Sequence, residues 1–303
     1  MDRLDKMQIF VAVAETGSFT AAGERMGISN KVVSKSISAL ENDVGATLFF
    51  RTTRSMSITV DGQNYLQGCR RVLLEYEALS ASLDTAQSLK GALRVTAPVT
   101  FGEVLVTRSV VDFLSNHPDI EVELVLSDHH EDLAEKGFDL AIRMGELKDS
   151  NLRVRHLGTA QLIVVAARSY LEAHGAPGLA RDLMQHSCIR DTNSDVANRW
   201  PFVIDDVQTN IPVHGRLICN SSSACLDAAR NGLGLAMVPD LFAEQDLVEG
   251  RLVRVLKDIP TPAVPIQGVY LPSAFQRPKL VAFVDHMKDA VTAAKERCGT
   301  AQA

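Results

Sequence analysis

The sequence predicts an α+β multidomain chain: a head of short helices, one long helix, and a larger α/β part. Three observations predict it. Glycine punctuates short amphipathic patterns through residues 1–58, and residues 59–88 form one helical pattern with no proline. From Gly91 onward, apolar strand-like runs alternate with helical ones: LRVTAP, a helix through Phe113, EVELVLS, a helix, then DLAIRMG. That alternation argues for a largely parallel sheet.

Composition narrows the class. The 303 residues have room for about two domains with ample core. With 46% hydrophobic and 22% charged residues, the chain reads as soluble and globular. A formal net charge of −6, taken alone, argues against a general binder of nucleic acid or anionic membrane. The charge is uneven, however. Residues 1–60 hold seven Lys/Arg against six Asp/Glu, leaving 24 against 31 for the rest. Five cysteines without CxxC spacing fit neither a disulfide framework nor a zinc site, and suggest a reducing compartment. The apolar MQIFVAVAET mimics a leader, but Asp2 and Asp5 cancel Arg3 and Lys6, so no charged n-region exists. No apolar run approaches the ~18 residues of a membrane span. The expected location is cytoplasmic, with no membrane partner.

In the head, a first helix spans about Leu4 to Glu15, with Leu4, Met7, Phe10, Val11 and Ala14 on one face and Gly17 as terminator. Ser18 has N-cap chemistry for a second helix whose small Ala21 and Ala22 permit a close crossing. Gly27 supplies the turn, and Ser29 caps a third helix with Val32, Val33, Ile37 and Leu40 inward. Asn30, Lys31, Ser34, Lys35 and Ser38 are left outside. A short helix, a tight glycine turn and a second helix with a small, polar, cationic outer face is helix-turn-helix logic. Such a face fits a DNA major groove, where Lys reaches guanine acceptors and Ser or Asn bonds base edges or phosphates. The alternating stretch FRTTRSMSITV then suits a small β-wing whose Arg51 and Arg54 reach the backbone or minor groove.

The long helix follows. Tyr65, Cys69, Val72, Tyr76, Leu79, Leu83 and Ala86 step by alternating fours and threes, the seam of a helix that pairs with another helix. A homodimer is the expected assembly.

The run SFTAAGERMGISNKVVSKSISALENDVGATLFFRTTRSMSIT resembles the winged helix-turn-helix of the LysR-type transcriptional regulators. Their pattern is Ser-x-Thr-x-Ala-Ala, an apolar residue, a Ser-Gln cap, then Val-Ser-Arg, Ile, Leu-Glu and Gly-x-x-Leu-Phe-x-Arg. This chain departs from it at Asn30, Lys31 and Lys35. Length, linker helix and C-terminal part all agree, so the resemblance covers essentially the whole chain. It implies residues 1–58 as a DNA-binding head, 59–90 as a linker and dimerisation helix, and 91–303 as an effector domain. That domain is expected to be two-lobed and periplasmic-binding-protein-like, with crossover strands at LIVVAA (162–167) and PIQGVY (265–270). Lobe one is then 91–161 with 268–303, and lobe two is 162–267.

In open α/β sheets ligands sit beyond the carboxyl ends of strands, often against helix N-termini. Thr100 and Phe101 follow LRVTAP, Ser127 and Asp128 follow EVELVL, and Arg143 follows DLAI as a cation able to grip a carboxylate. Asp191 and Thr192 follow SCIR, while Asn220 and Ser221 follow GRLIC. By resemblance these positions line the family's pocket. The expected partners are promoter DNA, a small, anionic effector and further copies of the chain, since the resemblance leaves a homodimer or a homotetramer open.

No GxSxG, phosphate-binding glycine loop or third ligand beside His129-His130 is present, so no catalysis, metal or cofactor is expected. Cys219 and Cys225 read as core packing. Two alternatives stay open: a solute-binding or enzymatic α/β protein with an ancillary helical head, and a cysteine-based redox-sensing regulator.

Overall fold

Side-chain caps start each helix of the head, and a glycine ends it. Helix α1 (Arg3–Thr16) opens on a capping box in which Asp2 and Asp5 accept each other's backbone N–H at 2.8 and 2.9 Å. Ser18 caps α2 (Phe19–Met26) and Ser29 caps α3 (Asn30–Val44), each through its side chain. Between them Gly27 takes φ 66°, a left-handed conformation that a Cβ would penalise. The computed structural model describes residues 2–51, 56–83, 89–129, 132–146, 152–194, 197–272 and 277–301.

Phe10 sits among the core side chains of the head, with ring centroids 5.2 Å from Phe49 and 5.5 Å from Tyr65. Two faces differ from the expected ones. The buried residues of α1 are Ile9, Phe10, Ala12 and Val13, because α2, α3 and α4 all pack on this helix and enclose more than one stripe. On α3 the inward set is Val33, Ser36, Ile37 and Leu40, the i, i+3, i+4, i+7 positions of one face. Val32 lies about 100° off that face and is 37% exposed. Ser36 is buried in its stead, donating its hydroxyl to the Val32 carbonyl at 2.7 Å.

The wing is a two-stranded antiparallel pair, β1 (Phe49–Arg51) with β2 (Met56–Ile58). Glu41 of α3 pins its base, accepting the backbone N–H groups of Leu48 and Phe49 at 2.9 and 3.2 Å. Thr59 donates to the Thr47 carbonyl at 2.7 Å and accepts the Gly62 N–H at 2.8 Å. That hydroxyl starts α4 (Val60–Leu83) against the wing.

The chain divides into two compact units, one built on residues 1–87 with 132–137 and 271–278, the other on 88–131, 138–270 and 279–303. In the second, β3 (Gly91–Ala97), β4 (Ile120–Leu126) and β5 (Leu140–Met144) are parallel, with β3 central. The three-residue helix α5 (Val99–Phe101) continues through a π-turn at Gly102–Val106 into α6 (Thr107–Asn116). The short α7 (Leu133–Lys136), which belongs to the first unit, precedes β5 in the chain. Strand β6 (Arg153–Ala166) and helix α8 (Arg168–His174) lead to β7 (Cys188–Asp191) and the hairpin β8 (Arg199–Ile204) with β9 (Val207–Pro212). Then come β10 (Ile218–Cys219), α9 (Ser222–Arg230), β11 (Leu235–Pro239), α10 (Asp240–Val248), β12 (Val253–Val255), β13 (Ala263–Tyr270) and α11 (Pro278–Ala301).

The sheet order is β10-β7-β11-β6-β13-β5-β3-β4, with β12 also on β6. The first crossover strand is longer than LIVVAA: β6 begins at Arg153, pairs with β13 through Gln161, then with β11 from Leu162 and with β12 from Val164. The second returns earlier than residue 268, since β13 pairs with β6 from Ala263 and with β5 from Ile266. Polar groups lock the switch point. Asp240, 2% exposed, accepts from Gln161 N–H and Leu241 N–H at 3.0 Å each and from Lys295 at 2.5 Å. Gln161 also donates to the Thr261 hydroxyl at 2.7 Å, which itself donates to the Leu162 carbonyl at 2.6 Å.

Two glycines of α4 have opposite surroundings. A Cβ on Gly62 would stand 2.2 Å from the Leu48 carbonyl oxygen, whereas one on Gly68 would meet nothing within 4 Å. Gly62→Ala should destabilise the chain by about 1–3 kcal/mol, because overpacking against backbone outweighs a helix-propensity gain of about 1 kcal/mol. Gly68→Ala should gain up to about 1 kcal/mol. Urea denaturation of the two variants checks the opposed signs.

Candidate functional site

Helix α3 presents the first candidate surface. Val33, Ser36, Ile37 and Leu40 turn into the core, so Asn30, Lys31, Lys35 and Ser38 are exposed and Ser34 is half-buried. Asn30, Lys31, Ser34, Lys35 and Ser38 line one shallow depression. Three polar ties fix the helix that carries them. Lys6 of α1 pairs with Asp43 at 2.7 Å, Glu41 holds the wing, and Asn30 donates its amide to the Thr20 hydroxyl at 3.0 Å. The Lys6 hydrogen bond is the main reason the Asp43 carboxyl lies below its usual range.

The expected contact residues therefore divide. Lys31, Ser34, Lys35 and Ser38 share one outward strip with the chemistry of a groove reader. Asn30 and Ser29 hold the scaffold: the first ties α3 to α2, and the Ser29 hydroxyl accepts the Val32 N–H at 3.4 Å. Arg51 is in β1, its side chain lies outside the described residues, and Arg54 lies outside them altogether.

The stripe expected along α4 also divides, and its last residue, Ala86, lies outside the described residues. Cys69 is 1% exposed and, like Tyr65, packs into the head core, so these two seat the helix on its own domain instead of on a partner. Burial raises the Tyr65 phenol to about 12 and the Cys69 thiol to about 11. Val72 and Tyr76, further along, are 45% and 48% exposed. Leu79 and Leu83 are on α4, with side chains outside the described residues.

The second candidate surface lies at the strand ends of the α/β unit. From one half of the sheet come Val99 and Thr100 after β3, the Ser127–His129 turn after β4, and Arg143 in β5. The other half supplies Asp191 at the end of β7, Thr192 and Asn193 after it, and Asn220 to Ser223 after β10. The two sets meet. The Ser223 N–H donates to the Thr100 hydroxyl at 3.3 Å, and the Asn193 amide donates to Asp128 at 2.9 Å and to the Asn220 carbonyl at 2.5 Å. Asp191, 8% exposed, receives the Ser222 hydroxyl at 2.5 Å and the Asn193 N–H at 2.9 Å.

Of the expected pocket residues, Thr100 is at this junction, Asn220 contributes its carbonyl, and Ser221 caps α9 through the Ala224 N–H at 3.3 Å. Ser127 is half-buried and accepts the His129 N–H at 3.2 Å. Thr192 fastens β7 to β10, its N–H and hydroxyl both donating to the Cys219 carbonyl, at 2.8 and 3.3 Å. Arg143 is 7% exposed and donates to the carbonyls of Ile142 and His129 at 3.1 and 3.3 Å. Phe101 is fully buried with its ring 6.3 Å from Phe242, so it belongs to the core and does not line the cleft. The sequence reading missed Asn193, Ser222 and Ser223. Asn193 sits in a turn with no periodicity to mark it, whereas Ser222 and Ser223 continue a serine run already visible beside Ser221.

Among the described residues no cluster of three His, Cys, Asp or Glu side chains could hold a metal, and His130 lies outside them. No described helix is long and apolar enough to cross a membrane.

Two family models match: a LysR substrate binding domain over residues 86–292 and a bacterial regulatory helix-turn-helix protein, lysR family, over residues 4–63. The regulator CrgA of Neisseria meningitidis serogroup C is 30% identical over 285 residues, 93% of this chain and 95% of that one. The activator AaeR of Escherichia coli K12 is 31% identical over 272 residues, 89% and 88% of the two chains. Among solved structures, CrgA matches with a TM-score of 0.62 at 28% identity, covering 95% of this chain and 99% of that one. Full-length AphB, a Vibrio cholerae virulence activator, matches at 0.59 and 26%, covering 94% and 98%.

Each lysine that contacts a phosphate adds about one unit to the slope of log affinity against log salt. Lys35→Gln should lower that slope by about one per head in electrophoretic shift titrations on the bound promoter. Lys35→Glu should abolish protection in footprints while circular dichroism stays unchanged. An unaltered footprint would remove α3 as the reading helix.

Proposed function

The chain belongs to the LysR-type transcriptional regulators, and from that premise we propose how its two surfaces share the work. The head reads an operator through Lys31, Ser34, Lys35 and Ser38 in the major groove, with the wing on the adjoining backbone. The α/β unit binds a small anionic effector between the two halves of its sheet, in the cytoplasm where the DNA is.

One observation carries the effector reading. Polar groups at the strand ends of both halves come within hydrogen-bonding distance of one another, Asp128 with Asn193 and Ser223 with Thr100. A ligand placed there touches both halves at once, so its affinity differs between their arrangements. That difference is what a population shift requires. Arg143, buried at the edge of the junction, supplies the positive charge that favours an anion. The exposed Val72 and Tyr76 would pair two copies through α4, putting two weakly basic heads on one operator and adding their phosphate contacts.

A second reading rests on one distance. The Cys219 and Cys225 sulfurs are 3.3 Å apart, one at the end of β10 and the other in the first turn of α9, beside Asn220 and Ser221. Burial, with the Cys219 contact next, pushes the Cys225 thiol upward, so half-buried Cys219 would attack first. A hydroperoxide would oxidise it to a sulfenic acid, releasing an alcohol. The Cys225 thiol would then displace water to close a disulfide.

Footprinting of the promoter beside its own gene, with and without small carboxylic acids, tests the first reading. Altered protection with an acid and no response to peroxide is the expected outcome. A peroxide response lost in Cys219→Ser would favour the second. Tyr76→Ala should shift the sedimentation equilibrium toward smaller species, and an unchanged distribution would remove α4 as the pairing element.

A further inference from the structure

We propose that Asp128 is a built-in competitor for the effector: its carboxylate bridges the two halves of the cleft as a small carboxylate ligand would, and such a ligand acts by displacing it. The proposal rests on the effector reading above and adds to it a ligand class and a residue that sets the affinity.

A carboxylate has two oxygens and accepts only. Asp128 uses one on each half: Oδ1 accepts the Val99 backbone N–H at 3.0 Å, and Oδ2 accepts the Asn193 side-chain amide at 2.9 Å. Val99 follows β3 and Asn193 follows β7, so one planar group spans the cleft. The turn that carries it is anchored on both sides. The Ser127 N–H donates to the Ala97 carbonyl at 2.9 Å, and Arg143 donates to the His129 carbonyl at 3.3 Å. Arg143 thus acts as a positioning residue for the Asp128 turn. Anchoring keeps the carboxylate at high effective concentration beside its two donors.

Asp128 is nevertheless exposed. It can rotate into water without stranding a buried charge, a cost that buried Asp191 or Arg143 would incur. The two donors it vacates call for an acceptor at both ends. A carboxylate provides that, whereas a primary amide turns an NH2 toward one of them. The cleft therefore prefers a carboxylate to its amide. A bridge closed nine-tenths of the time weakens a competing ligand about tenfold.

Calorimetric titration of the full-length chain with acetate, benzoate and benzamide tests this, with circular dichroism confirming that each variant is folded. Asp128→Ala should bind benzoate about tenfold more tightly and benzamide no better. Adding Asn193→Ala should remove that gain. Equal or weaker benzoate affinity in Asp128→Ala, or an equal gain for benzamide, overturns the competitor role and leaves the effector reading standing. If neither carboxylate binds the parent chain or Asp128→Ala, the anionic-effector reading itself falls and takes the proposal with it.

Discussion

Strand β6 is hydrogen-bonded to both halves of the sheet, and every residue of the cleft owes its position to that continuity. The strand changes partners between Gln161 and Leu162, leaving β13 for β11 and β12 without breaking its own extended backbone. A strand can serve two half-sheets only if the polar groups at the exchange are satisfied locally. Asp240 does this with donors from β6, α10 and α11, and the Gln161–Thr261 pair ties the second connection alongside. Removing one partner would strand a carboxylate that is 2% exposed, a costly arrangement. The exchange point is thus buried and fully partnered at Asp240, whereas the contact between Asp128 and Asn193 that joins the two rims is exposed.

The negative net charge of the chain does not conflict with an operator-reading head. Phosphate contacts depend on local cations, and the outer face of α3 carries Lys31 and Lys35 while its acids Glu41 and Asp43 are engaged with the wing and with Lys6. This arrangement also explains how Asn30 departs from the family pattern without loss of form. Its amide is spent on Thr20, joining the two helices of the motif, so it acts on the angle between them.

What was legible in the sequence was what is decided locally. Ser18, Ser29 and Gly27 were readable because a cap and a left-handed turn need only their own neighbours. The parallel strands β3 to β5 were readable because each is a short, mostly apolar run set between helical patterns. Tertiary enclosure was not legible. Ile9 and Val13 are buried because three helices crowd α1, and no periodicity announces a third neighbour. The residues of QLIVVA do not announce a partner exchange, since they read as one strand whichever strands flank it; the family resemblance put a crossover at LIVVAA, and the exchange falls between Gln161 and Leu162. In the candidate site, strand ends and the serine caps were foreseeable, whereas Asn193 and the 3.3 Å approach of Cys219 to Cys225 depend on distances between separate elements.

Helix α4 has one further consequence, which concerns phase. Its early turns are fused to the head through Tyr65 and Cys69, while Val72 and Tyr76 face outward on the following turns. Whatever seats on that outer stripe fixes the azimuth of the head about the helix axis. One residue inserted after Cys69 would turn the head by about 100°, whereas seven would return it to within about 20°. The length of this helix is therefore a rotational setting, and DNA tolerates only discrete values of it because half-sites recur once per duplex turn.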